Sequence, residues 1–590
     1  MLPLLKIKNL TVEFPESESS EPALQEFFLE LNRGEMLAVV GESGSGKSVM
    51  SLALMNLLSK AAHIKQGSIL FSPDGKDEIE LLGMQEKKFR SYRGNQLAMI
   101  FQEPMTSLNP VMTCGAQLCE PLMLHKKLNR REAKSAALLL FGKVQLPDPE
   151  RVFKKYPHQL SGGQKQRVMI AMAISCNPSV LICDEPTTAL DVRVQKTILD
   201  LLKGLRRSEN IGMIFITHDL GLVADMADRA LVMLRGMVVE SGPVNELFIR
   251  PRHPYTRGLL MCRPALHIKG ERLPVISDFL EINSPGSLEN VDASSLKLLS
   301  NQAFKGGFLP ANPDNIQKTQ PEILLKVKGL HLRYSSGKSW LGKEKQWVDA
   351  IKDINFEVYQ GETLGLVGES GSGKTTLGRA LLGLNKPVHG SILYNGEELL
   401  MMRKLELLEF RRNIQIVFQD PYSSLNPRLM VGPAISEPLR VHDSMGRSER
   451  KYRVIELLQK VNMKPEHFNR YPHAFSGGQR QRIVIARALV LNPGFVVFDE
   501  SVSALDVSVQ AQVLNLINDL KKNLGFTAIF ISHDLSVIRY LCDRVMVMEK
   551  GKIVESGDVE SVYLNPKTEY TRSLIEAIPG RGLTPIRVKA

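Results

Sequence analysis

The chain has 590 residues, enough for several domains, and its 43% hydrophobic and 23% charged content is ordinary for a soluble protein. A formal net charge of +12 is spread along the sequence without a long Lys/Arg block, which reads as a solvated basic surface rather than a nucleic-acid footprint. The longest mostly apolar run, Val168 to Cys183, is broken by Asn177-Pro178 and is too short to span a bilayer.

Taken from the start, Met1 to Phe14 lacks a basic leader and a small-residue cleavage site, while Leu10, Val12 and Phe14 alternate with Thr11 and Glu13 as a strand does. The expected location is therefore the cytoplasm. Six cysteines, at 114, 119, 176, 183, 262 and 542, form no CxxC pair, and the apolar surroundings of Cys176 and Cys183 predict core positions. A reducing compartment fits this usage.

Next comes an apolar strand, Met36 to Val40, then Gly41-Glu42-Ser43-Gly44-Ser45-Gly46-Lys47-Ser48, then a helix expected over Val49 to Leu58. A glycine-rich turn between strand and helix lets backbone N–H groups converge on an anion at the helix start. Lys47 would reach the β- and γ-phosphates and the Ser48 hydroxyl would hold Mg²⁺. The same pattern returns as Gly368-Glu369-Ser370-Gly371-Ser372-Gly373-Lys374-Thr375, after Leu364 to Val367 and before Thr376 to Leu384.

The repeat covers nearly the whole chain. Lys374 stands 327 residues after Lys47 and Gln419 stands 317 after Gln102, whereas Ser476, Glu500 and His533 each stand 315 after Ser161, Glu185 and His218. The shrinking offset predicts extra residues in the first copy, around Asp74 to Lys88. Residues 281 to 320, rich in Asn, Ser, Pro and Gly, read as a surface connector.

Within each copy a short strand (Gly67 to Phe71; Gly390 to Tyr394) precedes Phe101-Gln102-Glu103-Pro104 or Phe418-Gln419-Asp420-Pro421, each followed by Ser-Leu-Asn-Pro. The glutamine either contacts Mg²⁺ or water, or is an ordinary turn residue. Ser161-Gly162-Gly163-Gln164 and Ser476-Gly477-Gly478-Gln479 open a helix and offer both a cap and an anion nest. Strands Val180 to Asp184 and Phe495 to Asp499 end beside Glu185 and Glu500. In a parallel sheet such acids face the phosphate loop, the first suited to Mg²⁺ and the second to activating water. Ala189-Leu190-Asp191 and Ala504-Leu505-Asp506 follow, and later strands end at His218 and His533, expected to contact a γ-phosphate or water.

Together these motifs, twice and in one order, resemble the ATP-binding cassette ATPases. The resemblance implies an α/β fold: two P-loop cassettes in tandem, each with a RecA-like core, an antiparallel β subdomain and a helical subdomain. It divides the chain into a first cassette at 1–265, a connector and extension at 266–321, a second cassette at 322–580 and a tail at 581–590. It implies a head-to-tail sandwich of the two cassettes around two ATP molecules. Lys47, Ser48, Gln102, Asp184, Glu185 and His218 would share one ATP with Ser476, Gly477, Gly478 and Gln479. Lys374, Thr375, Gln419, Asp499, Glu500 and His533 would share the other with Ser161, Gly162, Gly163 and Gln164. The loop residues Gly41, Ser43, Gly44, Ser45 and Gly46, with Gly368, Ser370, Gly371, Ser372 and Gly373, would cradle phosphates, and Phe14 and Tyr334 would stack on adenine. Ser48, Gln102 and Asp184, and Thr375, Gln419 and Asp499, would hold Mg²⁺; Glu185, Glu500, His218 and His533 would be catalytic.

The segment Arg252-His253-Pro254-Tyr255-Thr256-Arg257, echoed in Glu569-Tyr570-Thr571-Arg572, narrows the resemblance to the ATPases of bacterial dipeptide and oligopeptide importers. Expected partners are two membrane permeases and an external solute-binding protein, with no nucleic acid, and the expected place is peripheral, on the cytoplasmic face of the inner membrane. Ser501 departs from the family's usual Pro after the second acid, and with only Cys262 near the tail an iron–sulfur cluster is not expected. The competing reading is a soluble twin-cassette ATPase acting on ribosomes or DNA. Against it stand the lack of a long charged helical hairpin and of zinc-spaced cysteines.

Overall fold

The computed structural model describes residues 2–15, 21–188, 190–282, 288–290, 322–336, 346–503 and 505–580. Ala189, Ala504, most of the expected connector and the tail 581–590 lie outside them. By their contacts the residues form two units, Met1–Leu260 with Pro579–Ala590, and Met261–Ile578.

In the first unit the continuous apolar runs Met36–Val40, Val180–Asp184 and Gly212–Thr217 are buried along their whole length. Strands with no polar face need cover on both sides, and they lie inside a largely parallel sheet. Its order is Met237–Pro243, Arg229–Leu234, Met36–Val40, Gly212–Thr217, Val180–Asp184 and Leu97–Ile100, with only the first of these antiparallel to its neighbour. A second sheet is antiparallel, in the order Leu24–Leu31, Leu5–Glu13, His63–Phe71 and Ile79–Glu80. Its inward residues Ile7, Leu29 and Phe71 share a core with Val39 and Met50.

The other face of the parallel sheet shares a core with a helical layer, Cys114–His125, Arg130–Lys143, Pro149–Lys154 and Gly162–Ile174. Phe141 and Phe215 are fully buried there, each removal from water contributing about 2–3 kcal/mol. Helix ends are chemically marked. Asn129 and Glu132 close a capping box at the start of Arg130–Lys143, and Asp191 accepts from the Val194 N–H at the start of Val192–Glu209.

The second unit repeats this plan. Its parallel sheet runs Ile414–Val417, Phe495–Asp499, Thr527–Ser532, Thr363–Val367, Arg544–Glu549 and Lys552–Asp558, with the last strand antiparallel. The antiparallel sheet runs Gln346–Tyr359, Ile323–Ser336, His389–Tyr394 and Glu397–Glu398. The helical layer holds Val431–His442, Arg447–Lys460 and Gly477–Leu489.

Matching elements locate the extra residues of the first copy in two places. Leu381 stands 327 after Leu54, but Gly390 stands only 323 after Gly67, so four of them lie between the loop helix and the next strand. Glu80 and Glu398 accept from the Ile69 and Ile392 N–H groups, and they stand 318 apart, so five more fall in the hairpin that includes Asp74. The charged stretch therefore accounts for about half of the insertion.

Residues from Met261 onward pack within the second unit. Asn515, 5% exposed, grips one residue by both backbone groups: its Oδ1 accepts from the Leu273 N–H at 3.0 Å and its Nδ2 donates to the Leu273 carbonyl at 2.8 Å. The Tyr540 hydroxyl donates to the Glu271 carbonyl at 2.7 Å, and Lys269 pairs with Asp543. All six cysteines are buried. Burial pushes the Cys114 thiol up to about 11 and raises those of Cys183 and Cys542 further.

Replacing Asn515 by Leu strands two buried backbone groups, a cost of about 2–3 kcal/mol. The expected outcome is faster hydrogen exchange confined to the peptide covering 265–280, with the sheet amides of the second unit unchanged.

Candidate functional site

Two backbone constraints shape each glycine-rich loop. A Cβ on Gly41 would lie 2.4 Å from the Met233 carbonyl oxygen, and one on Gly368 would lie 2.2 Å from that of Met548, so only glycine lets the loop leave its strand this closely. Gly46 and Gly373, at φ 100° and 105°, then turn the chain into helices Lys47–Leu54 and Lys374–Leu381. Lys47 and Lys374 begin these helices and fold back over the loop. Lys47 Nζ donates to the Gly41 and Glu42 carbonyls, both at 2.8 Å, and Lys374 Nζ donates to those of Gly368 and Glu369 at 2.8 and 2.9 Å.

The carboxyl ends of the two strands next along the sheet bring the expected acids and histidine to the loop in each copy. In the second copy the Thr375 hydroxyl donates to Asp499 Oδ1 at 3.0 Å, and in the first copy Ser48 and Asp184 hold the matching positions. Burial, followed by the charge of Glu185, pushes the Asp184 carboxyl up to about 6, and burial also raises Asp499. Hydroxyl and carboxylate oxygens are hard donors of the kind Mg²⁺ takes, so both pairs fit that ion.

Glu185 gathers the remaining groups. Its carboxylate accepts from Gln102 Nε2 at 3.0 Å and from the Thr188 hydroxyl at 2.9 Å, and His218 Nδ1 lies 3.1 Å away. Burial works to raise its pKa, but the His218 hydrogen bond and charge outweigh it and hold the carboxyl down at about 2. Glu500 has the same company. Gln419 Nε2 donates to it at 2.8 Å, His533 Nδ1 lies 3.4 Å away and Lys374 Nζ 3.7 Å away. Burial is again outweighed by its histidine, so Glu500 is lowered and His533 raised. In both copies a carboxylate stays ionised beside a histidine and an amide, an arrangement able to polarise a water.

Both glutamates also carry a feature that the sequence did not reveal. Glu185 and Glu500 have φ 46° and 45°, the left-handed region that costs a residue with a side chain about 1–3 kcal/mol. Each is pinned there by its own N–H, which donates to the Ile216 or Ile531 carbonyl at 3.0 Å. Thr188 was likewise missed, since nothing in sequence marks a threonine three residues on as a carboxylate's partner.

Other expected residues lie outside this cluster. Ser161 and Gln164 cap each other, as do Ser476 and Gln479, with bonds of 3.2 and 3.4 Å in each copy. A Cβ on Gly163 would meet the Val194 side chain at 2.5 Å and one on Gly478 would meet Val509 at 2.2 Å, so the second glycine of each motif serves helix packing. Phe14 packs partly buried against the first core, and Tyr334, 45% exposed, accepts from Asn385 Nδ2 at 2.9 Å. Ser501 is 2% exposed, and its hydroxyl has no hydrogen-bond partner among the described residues.

Two family models match parts of the chain. The family model described as ABC transporter matches residues 24–188 and 351–503, and the one described as oligopeptide/dipeptide transporter, C-terminal region, matches 239–282. The chain is 46% identical over 584 residues to the glutathione import ATP-binding protein GsiA of Pectobacterium atrosepticum, covering 98% of this chain and 90% of that one. It is equally 46% identical, over 580 residues, to the protein of that name from Escherichia coli strain K12, covering 98% and 89%.

The unpaired Ser501 hydroxyl gives a simple test of the second turn. Ser501→Ala removes a buried polar atom without a partner, and the second unit is expected to gain about 1 kcal/mol in urea unfolding.

Proposed function

This chain belongs to the ABC transporter family as a twin-cassette ATP-binding protein of an importer, and on that premise we propose that it drives uptake of small peptides, glutathione foremost. The observation that carries this is the 46% identity to glutathione importers over nearly the whole chain, together with an intact acid–histidine–glutamine cluster in both copies. The match of 239–282 to the C-terminal region of oligopeptide and dipeptide transporters supports import over action on ribosomes or DNA.

In this reading each phosphate loop binds one ATP, with Lys47 or Lys374 leaving its loop carbonyls for the β- and γ-phosphates. Ser48, Gln102 and Asp184, and Thr375, Gln419 and Asp499, would hold Mg²⁺, which neutralises phosphate charge when bound. Glu185 and Glu500 act as general bases on the attacking water, kept ionised by His218 and His533. Ser476 to Gln479 would serve the first ATP and Ser161 to Gln164 the second, and Phe14 and Tyr334 would stack on adenine. Among the described residues no helix is long and apolar enough to cross a membrane. Attachment to the cytoplasmic face of the inner membrane would come through two permeases, with an external binding protein choosing the solute. Beyond Gln419, a cavity of 390 Å³ lined by Tyr422, Leu425, Leu429, Glu437 and Arg487 is a candidate seat for a permease segment.

Glu185→Gln and Glu500→Gln each keep shape while removing the base, so each is expected to lower ATP turnover at its own site by 100-fold or more, roughly the size of a lost acid–base contribution. Steady-state phosphate release from the chain copurified with its permeases measures this. Absence of permeases from the membrane preparation would reject the importer assignment. Uptake of labelled glutathione against unlabelled di- and tripeptides decides the solute.

A further inference from the structure

The tail motifs place one tyrosine behind each phosphate loop. The Tyr255 hydroxyl, on helix Pro254–Met261, accepts from the Glu42 N–H at 3.1 Å, and the Tyr570 hydroxyl, on helix Glu569–Glu576, accepts from the Glu369 N–H at 3.1 Å. The partners are 213 and 201 residues apart in the chain, so the contact is built by the fold and recurs in both copies. Tyr255 is fully buried.

The N–H that each tyrosine holds belongs to the same peptide unit as the carbonyl that each lysine holds. The Gly41–Glu42 peptide gives its carbonyl to Lys47 and its N–H to Tyr255; the Gly368–Glu369 peptide gives its carbonyl to Lys374 and its N–H to Tyr570. In a trans peptide these groups point in opposite directions, so the plane is clamped from both sides. Without the hydroxyl, a part-buried N–H would lose this partner, and rotating the plane to replace it would carry the carbonyl away from the lysine.

Each tyrosine helix is in turn fixed at its start. The Glu240 carboxylate accepts from the Arg252 and His253 N–H groups at 2.8 and 3.0 Å. The Glu555 carboxylate accepts from those of Lys567 and Thr568 at 2.8 and 3.1 Å. Loop, tyrosine, helix and carboxylate thus form one hydrogen-bonded chain in either copy.

We propose that Tyr255 and Tyr570 are positioning residues for ATP binding: they set the first peptide plane of the phosphate loop and link nucleotide occupancy to the seating of the tail helix. The proposal rests on the reading of these loops as ATP sites, which binding to the unsubstituted chain tests separately. The experiment titrates the full chain with a fluorescent ATP analogue and follows hydrogen exchange of 254–261 and 569–576 with and without ATP. Tyr255→Phe and Tyr570→Phe are each expected to weaken binding at their own site about five- to tenfold, as loss of one part-buried hydrogen bond predicts. KM should rise while kcat changes less than about twofold, since the lost contact serves ground and transition states alike. ATP should slow exchange in the tail helix of the unsubstituted chain but not in that of the Phe variant. Glu240→Gln, which loosens the helix start without touching the loop, is expected to shift binding in the same direction by a smaller factor. Unchanged ATP affinity in both Phe variants, or a fall in thermal stability with affinity and ATP-dependent exchange intact, would overturn the proposal.

Discussion

The site depends on one constraint of parallel sheets: strands that run the same way end on the same edge. Met36–Val40 lies between Gly212–Thr217 and Arg229–Leu234, with Val180–Asp184 one strand further, so the phosphate loop, the acids and the histidine all emerge on one rim. No long-range side-chain contact is needed to bring Lys47, Asp184, Glu185 and His218 together; the hydrogen-bond register of the sheet does so. The second sheet repeats the order around Thr363–Val367. The helices and the antiparallel sheet cover both faces, which is what allows these strands to be apolar throughout.

Electrostatics on that rim are sorted by neighbours more than by depth. Asp184 and Glu185 are adjacent and both shielded from water, yet one is pushed up to about 6 and the other held at about 2. The difference is company: Glu185 has an imidazole, an amide and a hydroxyl, whereas Asp184 has the repelling charge of Glu185 beside it, offset only in part by the charge of Lys47. An acid lacking such partners is suited to a cation, and an acid with them to staying ionised beside water.

Much of this was legible in sequence because the chemistry uses contiguous residues. The loop, the strand ending in two acids and the Ser-Gly-Gly-Gln helix start each declare themselves within eight residues, and the repeat placed all of them twice. The tandem cassettes and the order of motifs followed, whereas the hydrogen bonds of Gln102 and His218 to Glu185 came only with the structure, since sequence had offered those side chains to Mg²⁺, water or a phosphate. What stayed hidden depends on the third dimension. Tyr255 sits in a motif that was noticed, but its partner lies 213 residues upstream. The left-handed φ of Glu185 and Glu500 has no compositional sign, since the residue is not glycine or asparagine. Gly163 and Gly478 looked like anion-nest glycines, and only the close approach of Val194 and Val509 shows their packing duty. The grip of Asn515 on Leu273 joins a stretch that sequence read as connector and extension of the first cassette.

The burial of every native cysteine has a practical corollary. Thiols hidden from solvent, five of them also pushed above their ordinary range by burial, react slowly with maleimides or nitroxide reagents. A pair of cysteines introduced on exposed surfaces would thus be modified selectively, with no need to strip the native six. The unaltered background is ready for spin-label or fluorescence distance measurements that follow the two halves through a cycle of nucleotide binding and release.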